Sequence, residues 1–481
     1  MLATLTVHPV SRDRPTLQAW VWVVIAAGLL ARVVSAFQSF WLDEIWSYLL
    51  AQDVDSAWQV LTVLKHDNNH ILNTLFIRAM GEHEHWFVYR MLSLATGTAV
   101  IYLLARLALG WGSAAALAAA ILAAASHPLT LASAQARGYS AAMFFALVAL
   151  FWIRAEQPAR TWKSCFGFWL VVTLGILSHL TFLYAYMPLV GWTLIRRWQS
   201  AGKLSAQAWI EMARLHAVPV VIVAAMYIVF YSEIVIGGGP TDYEVSEVVG
   251  RTIAAAVGTP TTGNWVLLAL AITGVLVPIG LWLAARDGAP LVFFFVSVLF
   301  LAPVLIFLVA APKLLFPRYF WVCIPFLYLL AANVLGWIHR GTRTGKGVYW
   351  VLLAAFVLAN GAKTLEHVSV GRTNYADALT YLEEHTEGDI IQIGSDHDFR
   401  NAMVIRFYAR YRTAGKSFAI VPKSSWTGPG PEWYLMHSWI SGPFPQRHVT
   451  LAGDRPYTLV ARFDNGIGTG WKWFLYRNDN R

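Results

Sequence analysis

The sequence predicts a polytopic α-helical membrane protein of about eleven spans, with amphipathic helices at the membrane interface and a small C-terminal α/β domain. Three observations carry that prediction. Of 481 residues, 57% are hydrophobic and only 13% charged, a balance foreign to soluble enzymes. Apolar runs of membrane-crossing length recur up to about residue 361. After about residue 362 polar residues rise and the apolar pattern turns to alternation.

The first run, residues 17–37, follows Arg12 and Arg14 and lacks a small-residue cleavage site, so it reads as a retained helix rather than a signal peptide. Next comes FQSFWLDEIWSYLLA, with Asp43 and Glu44 side by side among Trp41, Trp46 and Tyr48. Residues 38–86 form a loop too long for a simple connection. Within it, DSAWQVLTVLK and HILNTLFIRAM repeat apolar residues at helical spacing and read as helices lying in the interface. Further runs fall at 88–108, 112–131, 139–154, 165–178, 181–196, 212–232, 264–285, 290–311, 318–338 and 348–361; the fifth and sixth of the set are short.

Basic residues set the orientation. Arg106, then Arg154, Arg160 and Lys163, then Arg196, Arg197 and Lys203, then Arg286, then Arg340, Arg343 and Lys346 all fall on one side. The positive-inside rule makes that side cytoplasmic. The N-terminus is then inside, the C-terminus outside, and Asp43 and Glu44 face the exterior. In the C-terminal part TNYADALTYLEEHTEGD reads as a helix, and IIQIG, KSFAIVP, YTLVARF and KWFLYR read as strands. The expected domains are a transmembrane module over 1–361, including the first external loop 38–86, and an external α/β domain over 362–481.

The net charge of +9 is spread over short loops rather than gathered in one patch, which argues against nucleic acid as a partner. Cys165 and Cys323, the two cysteines, lie inside apolar runs, so no disulfide framework is expected. IGGGP, residues 236–240, lacks the lysine and hydroxyl of a phosphate loop and reads as an external loop near the acceptor path. GSDHDF, residues 394–399, groups Asp396, His397 and Asp398 and reads as a solvated turn of the C-terminal domain.

The chemistry is expected at the external helix ends. Ionised carboxylates in an aromatic interface need a cation, a metal or a hydrogen-bonding substrate. Arg90 opens the second run in VYRMLSLATG, Arg137 lies in SAQARGYS, and Arg318 lies in FPRYF. Guanidiniums so placed bind phosphate by charge-assisted, bidentate bonds. Arg32, deeper in the first run, is expected to snorkel outward or to pair with an acid.

In order, WLDEIWS, DNNH, YRMLSLATG, AQARGYS, LSHLTFLYA and FPRYFWVCIPFLYLLAA resemble the landmarks of GT-C glycosyltransferases of the protein O-mannosyltransferase and aminoarabinose-transferase type, over about residues 30–335. The resemblance implies an inverting transferase in the bacterial inner membrane. It would take a sugar from a polyprenyl-phosphate carrier and act on the periplasmic or exterior face. It implies Asp43 as the group that orients or accepts the proton of an attacking hydroxyl, with Glu44 as its companion. Arg137 and Arg318, and then Arg90, would stabilise the departing phosphate. Tyr139 and Tyr319, beside those arginines, would add hydroxyl donors. His70 and His179 are expected at the donor, as hydrogen-bonding groups or as metal ligands with Asp43. The acceptor class, lipid, glycan or protein, stays open, as does a divalent metal.

Two positions depart from the pattern. Gln135 stands where many relatives carry Glu, which removes a second carboxylate. His70 stands where many relatives carry a His followed by two prolines, but here Ile71 and Leu72 follow it; aminoarabinose transferases carry lysine at that place, so the resemblance does not favour that donor. The competing reading is a transporter or flippase of lipid-linked saccharides, with charges at the bilayer midplane and two matching halves; the sequence has no internal repeat. A membrane-anchored receptor is the third.

Overall fold

The structure is a computed structural model that describes residues 14–155, 161–201, 205–236, 244–310, 314–371, 373–412, 415–439, 445–451, 454–464 and 471–481. The IGGGP glycines lie outside these residues. The chain divides into two compact units. The first holds the described residues up to Val33 together with Leu61–Asn73 and Arg90–Ala362; the second holds Val34–Val60, Thr74–Tyr89 and Lys363–Arg481.

Helices dominate. In chain order they are α1 (Arg14–Ala36), α2 (Leu42–Gln52), α3 (Ala57–Thr62), α4 (Ile71–Met80), α5 (Met91–Ala108), α6 (Ser113–Ala125), α7 (His127–Ser133), α8 (Tyr139–Arg154), α9 (Trp162–Ser178) and α10 (Leu183–Ala201). There follow α11 (Ala206–Val229), α12 (Val245–Val257), α13 (Asn264–Ala285), α14 (Ala289–Val296), α15 (Ala302–Ala310), α16 (Ile324–Arg340), α17 (Arg343–Val370), α18 (Tyr375–His385) and α19 (Asp398–Ala409). Every apolar run read from the sequence falls on one or more of them. Seven helical stretches among the described residues are long and apolar enough to cross a membrane, or eight if the bent pair α6–α7 is one span. The chain is an integral membrane protein by that measure. The remaining runs include the apolar but shorter α8 and α9, of 16 and 17 residues.

The break between α6 and α7 follows from local sequence. The alanine-rich α6 is an excellent helix former, buried along most of its length. It stops where Ser126, His127 and Pro128 offer a new start: Ser126 accepts from the Leu129 N–H at 3.4 Å, and Pro128 needs no donor at the first turn. The two helices meet at 62°. Tyr328 of α16 holds the corner, its hydroxyl 2.8 Å from Ser126 Oγ and donating to the Ala256 carbonyl at 2.7 Å.

The second unit is built on a six-stranded sheet: β1 (Ile390–Ser395), β2 (Ser417–Ile420), β3 (Trp433–Trp439), β4 (His448–Leu451), β5 (Arg455–Phe463) and β6 (Trp471–Asn478), in spatial order β2-β1-β3-β6-β5-β4. β1 runs parallel to β2 and β3, with α19 as the crossover from β1 to β2, and the other pairings are antiparallel. One face buries Tyr434, Tyr457, Phe474 and Tyr476. α2 rests on α19: Phe40 stacks on Phe407 at 5.4 Å, and the Tyr408 hydroxyl donates to the Phe40 carbonyl at 2.6 Å. Tyr48 meets Phe407 and Tyr89 at 5.4 and 5.1 Å. Both helices expected in the loop form: α4 lies within HILNTLFIRAM, and α3 is a short helix of six residues within DSAWQVLTVLK that buries Val60 and leaves Trp58 exposed.

Candidate active site

In the first unit the DNNH and AQARGYS segments are stitched together. The Arg137 guanidinium donates to Asn68 Oδ1, the Gly138 N–H to His70 Nδ1 at 2.7 Å, and the Asn73 amide to the Ala136 carbonyl at 2.6 Å. Ser93 of α5 donates to the Arg137 carbonyl at 2.8 Å. Gly138 is required by close approach: a Cβ there would stand 1.8 Å from the Ser178 carbonyl oxygen and 3.2 Å from His70 Cβ. The DNNH side is anchored in turn, since the Asp67 N–H donates to the Val235 carbonyl at 3.0 Å and the Val235 N–H to the Lys65 carbonyl at 2.8 Å.

This stitching gathers the side chains singled out in the sequence. His70 and His179 lie ring against ring, 4.6 Å apart and nearly perpendicular. Tyr139 is 5.3 Å from His70 and 4.4 Å from His179. The Arg137 guanidinium sits 5.8 Å from the Tyr139 ring, and that of Arg318 lies over Phe316 at 4.2 Å and Tyr319 at 5.9 Å. Arg90 is fully buried at the start of α5, one turn from Ser93.

Burial, and then Arg137, His179 and Arg318, hold the His70 imidazole well below its ordinary range. His179, in the link between α9 and α10, is pushed down to about 3 by burial and then by Arg137 and Arg318. Both rings are therefore neutral at physiological pH. Their tautomer follows from their neighbours: His70 Nδ1 accepts from Gly138, and His179 Nδ1 accepts from the Thr181 N–H at 3.1 Å, which leaves the proton on Nε2 in each. The cluster thus combines guanidiniums with uncharged N–H and O–H donors. Among the described residues the Tyr139 hydroxyl, Gln135 Oε1, Asn73 Oδ1 and Trp321 Nε1 are buried without a hydrogen-bond partner. Buried polar atoms are nearly always paired, so these four have hydrogen-bonding capacity that a polar ligand or water could use.

Arg32 does neither thing expected of it. It is fully buried, and among the described residues its partners are the carbonyls of Gly28, Ala123 and Ala124 and the hydroxyl of Ser133, at 2.9 to 3.2 Å. A helix end within the apolar interior supplies the acceptors that an acid or the interface would otherwise supply.

Asp43 and Glu44 belong to the second unit, in the first turn of α2. Glu44 is fully buried, and its carboxylate accepts from the Trp41 N–H at 3.5 Å, folding back on the helix start as a capping group does. Asp43 is half-buried, and its own carbonyl accepts from Ser47 Oγ at 3.0 Å. Trp46 packs edge-on against Phe399 at 5.7 Å. The aromatic residues around the two acids therefore bind α2 to α19.

No group of three or more His, Cys, Asp and Glu side chains among the described residues is arranged to hold a metal ion. His70 and His179 have Nδ1 engaged by backbone N–H groups, so the pair does not fit a chelating role through those atoms. In GSDHDF, Asp396 is taken up by His437, at 2.6 Å from its Nδ1, and by the Asn401 amide at 3.2 Å, and His397 caps α19.

Two crystal structures of ArnT from Cupriavidus metallidurans align with nearly the whole chain. The apo form matches at a TM-score of 0.58 and 14% identity, covering 96% of this chain and 98% of that one. The form bound to undecaprenyl phosphate matches at 0.53 and 16%, covering 95% and 98%. The chain shares the ArnT fold. No family model matches the sequence, and no curated protein matches it either. The GT-C resemblance drawn from short ordered motifs thus agrees with the architecture, at an identity where only the ArnT fold itself carries over. Asn68 and Asn73 escaped the sequence reading as site residues; the signal was a run of amides, DNNHILN, in an otherwise apolar neighbourhood.

Proposed function

We propose that the protein is a polyprenyl-phosphate-sugar-dependent glycosyltransferase. The observation that carries the reading is the buried first-unit cluster, two guanidiniums beside neutral imidazole and phenol donors, on a fold whose ArnT representative has been crystallised with undecaprenyl phosphate. Arg137 and Arg318 take the carrier phosphate as charge develops on it, with Arg90 in support, and the fixed dipoles of His70, His179 and Tyr139 add hydrogen bonds that need no reorganisation. Asn73 Oδ1 and Gln135 Oε1 accept from hydroxyls of the sugar. Asp43 orients and deprotonates the acceptor hydroxyl, which attacks the anomeric carbon from the face opposite the phosphate, so the configuration inverts. The C–O bond to phosphate breaks as the new glycosidic bond forms, the proton goes to Asp43, and the phosphate leaves as an anion without an acid catalyst. Glu44 keeps α2 in place.

We place the reaction on the periplasmic face of a bacterial inner membrane, where positive-inside orientation puts these helix ends, with a lipid, glycan or protein hydroxyl as acceptor. The test is a gene deletion complemented with wild type or Asp43→Asn, with polyprenyl-phosphate sugars measured by mass spectrometry of membrane extracts. Accumulation of one lipid-linked sugar in both the deletion and the Asp43→Asn strain is the expected result. An unchanged donor pool, with Asp43→Asn restoring every phenotype, would remove the transferase and bring the flippase or receptor readings forward.

A further inference from the structure

Arg32 sits in an apolar helix, yet all three nitrogens of its guanidinium donate to backbone or hydroxyl oxygens. A charged side chain at such a position is expensive and is retained for a reason. α6 ends at Ala125, so the carbonyls of Ala123 and Ala124 are among the last four of that helix and have no partner further along it. Arg32 Nη2 donates to Ala123 at 2.9 Å and Nη1 to Ala124 at 3.2 Å, and a cation at a helix C-terminus also complements the dipole there. The third edge of the fork, Nε, donates to Ser133 Oγ at 3.1 Å.

Ser133 is where the consequence lies. Its hydroxyl donates to the Leu129 carbonyl at 2.6 Å and accepts from Ser140 Oγ at 3.2 Å. Ser133 closes α7 and Ser140 belongs to the first turn of α8, so both ends of the segment that carries Gln135, Arg137 and Gly138 converge on one oxygen held by Arg32. Gly97 of α5 comes close to the same point: a Cβ there would lie 1.9 Å from Ser133 Oγ and 2.7 Å from Ser140 Oγ, so any side chain at position 97 would displace both hydroxyls. We infer that Arg32 is a positioning residue for Arg137, fixing the α6–α7 corner and both anchor points of the loop that presents that guanidinium. The catalytic consequence rests on the donor-phosphate reading; the structural one does not.

A lysine keeps the charge but not the planar fork and satisfies one or two of these acceptors instead of all. The experiment uses the full-length protein in detergent, as wild type, Arg32→Lys, Arg32→Met and Ser133→Ala. It measures hydrogen exchange over residues 129–140 and the Kd for undecaprenyl phosphate. In Arg32→Lys, exchange at residues 134–138 is expected to quicken on the order of tenfold while α9 and α16 keep their protection. Undecaprenyl phosphate binding should weaken about tenfold, and combining Arg32→Lys with Arg137→Lys should cost little more than Arg137→Lys alone. Ser133→Ala should reproduce the loop effect without touching the charge. Unchanged protection at 134–138 in all three variants, or a uniform loss across the first unit, would overturn the positioning role. If the loop loosens but neither Arg32→Lys nor Arg137→Lys changes binding, the donor reading fails and the positioning role stands.

Discussion

Replacing Gly138 with alanine is the sharpest test of how the first-unit cluster is assembled. The new methyl would sit 1.8 Å from the Ser178 carbonyl oxygen, a backbone atom at the end of α9 that no rotamer change can move. Relieving that overlap to ordinary contact moves the start of α8 against the end of α9 by more than about 1 Å, and overpacking on that scale costs roughly 1–3 kcal/mol of stability. The same shift pulls the Gly138 N–H from His70 Nδ1, now 2.7 Å away, and carries Arg137 with it. A misplacement of about 1 Å at a site that works by alignment costs on the order of 100-fold in rate. The assay is thermal unfolding in detergent together with the Kd for undecaprenyl phosphate and the rate of donor consumption in membranes. Gly274→Ala is the control: nothing lies within 4 Å of its added methyl, and it sits inside α13, where alanine is favoured by roughly 0.5–1 kcal/mol. If Gly138→Ala bound and reacted like wild type, the close approach and the cluster built on it would not be what positions Arg137.

Four further outcomes follow from the same geometry. Asp43→Asn should lower transfer by roughly 100- to 10,000-fold with donor binding intact, as expected for loss of a general base, whereas Glu44→Gln should chiefly cost about 1 kcal/mol of stability at the start of α2; equal effects on turnover would refute the division of roles. Stability should fall as the pH drops below about 6.5. The unfolded chain binds protons there that buried His70 and His179 refuse, each removing up to about 1.4 kcal/mol per pH unit, for His179 down to about pH 3, and nothing is lost above 6.5. For the same reason donor affinity should show no step near 6.5 assignable to either residue, and a step abolished by His179→Ala would contradict their neutrality. Phe407→Ala removes the stack on Phe40 and should destabilise the second unit by about 3–5 kcal/mol, seen as a separate early transition that leaves undecaprenyl phosphate binding by the first unit largely unchanged.

Much of the architecture is legible along the chain because hydropathy and periodicity are local. A membrane span must satisfy its backbone internally and cover it with apolar side chains, so each span announces itself in some twenty consecutive residues. That is why every apolar run became helix, and why IIQIG, KSFAIVP, YTLVARF and KWFLYR became β1, β2, β5 and β6. Strand β3, WYLMHSW, was missed because a strand buried in mid-sheet between parallel and antiparallel neighbours does not alternate cleanly. The number of helices long enough to span, α7 as a separate helix, and the shortness of α3 depended on where helices bend and end.

The candidate site divides in the same way. Residue types and their order along the chain were enough to single out Asp43, Arg137, Tyr139, His179 and Arg318, since cations, acids and imidazoles stand out against an apolar background. Their company was not visible. Arg137 meets Asn68 across 69 positions, Gly138 meets His70 across 68, and Arg32 meets Ser133 across 101. Contacts at such separations leave no local pattern, because they are set by how helices pack and by which glycine lets two backbones touch. The sequence by itself determined a membrane-spanning helical chain with a small sheet domain and a set of polar outliers. Only tertiary packing decided that Glu44 caps a helix, that two histidines stay neutral beside two arginines, and that Arg32 serves a broken helix instead of an acid.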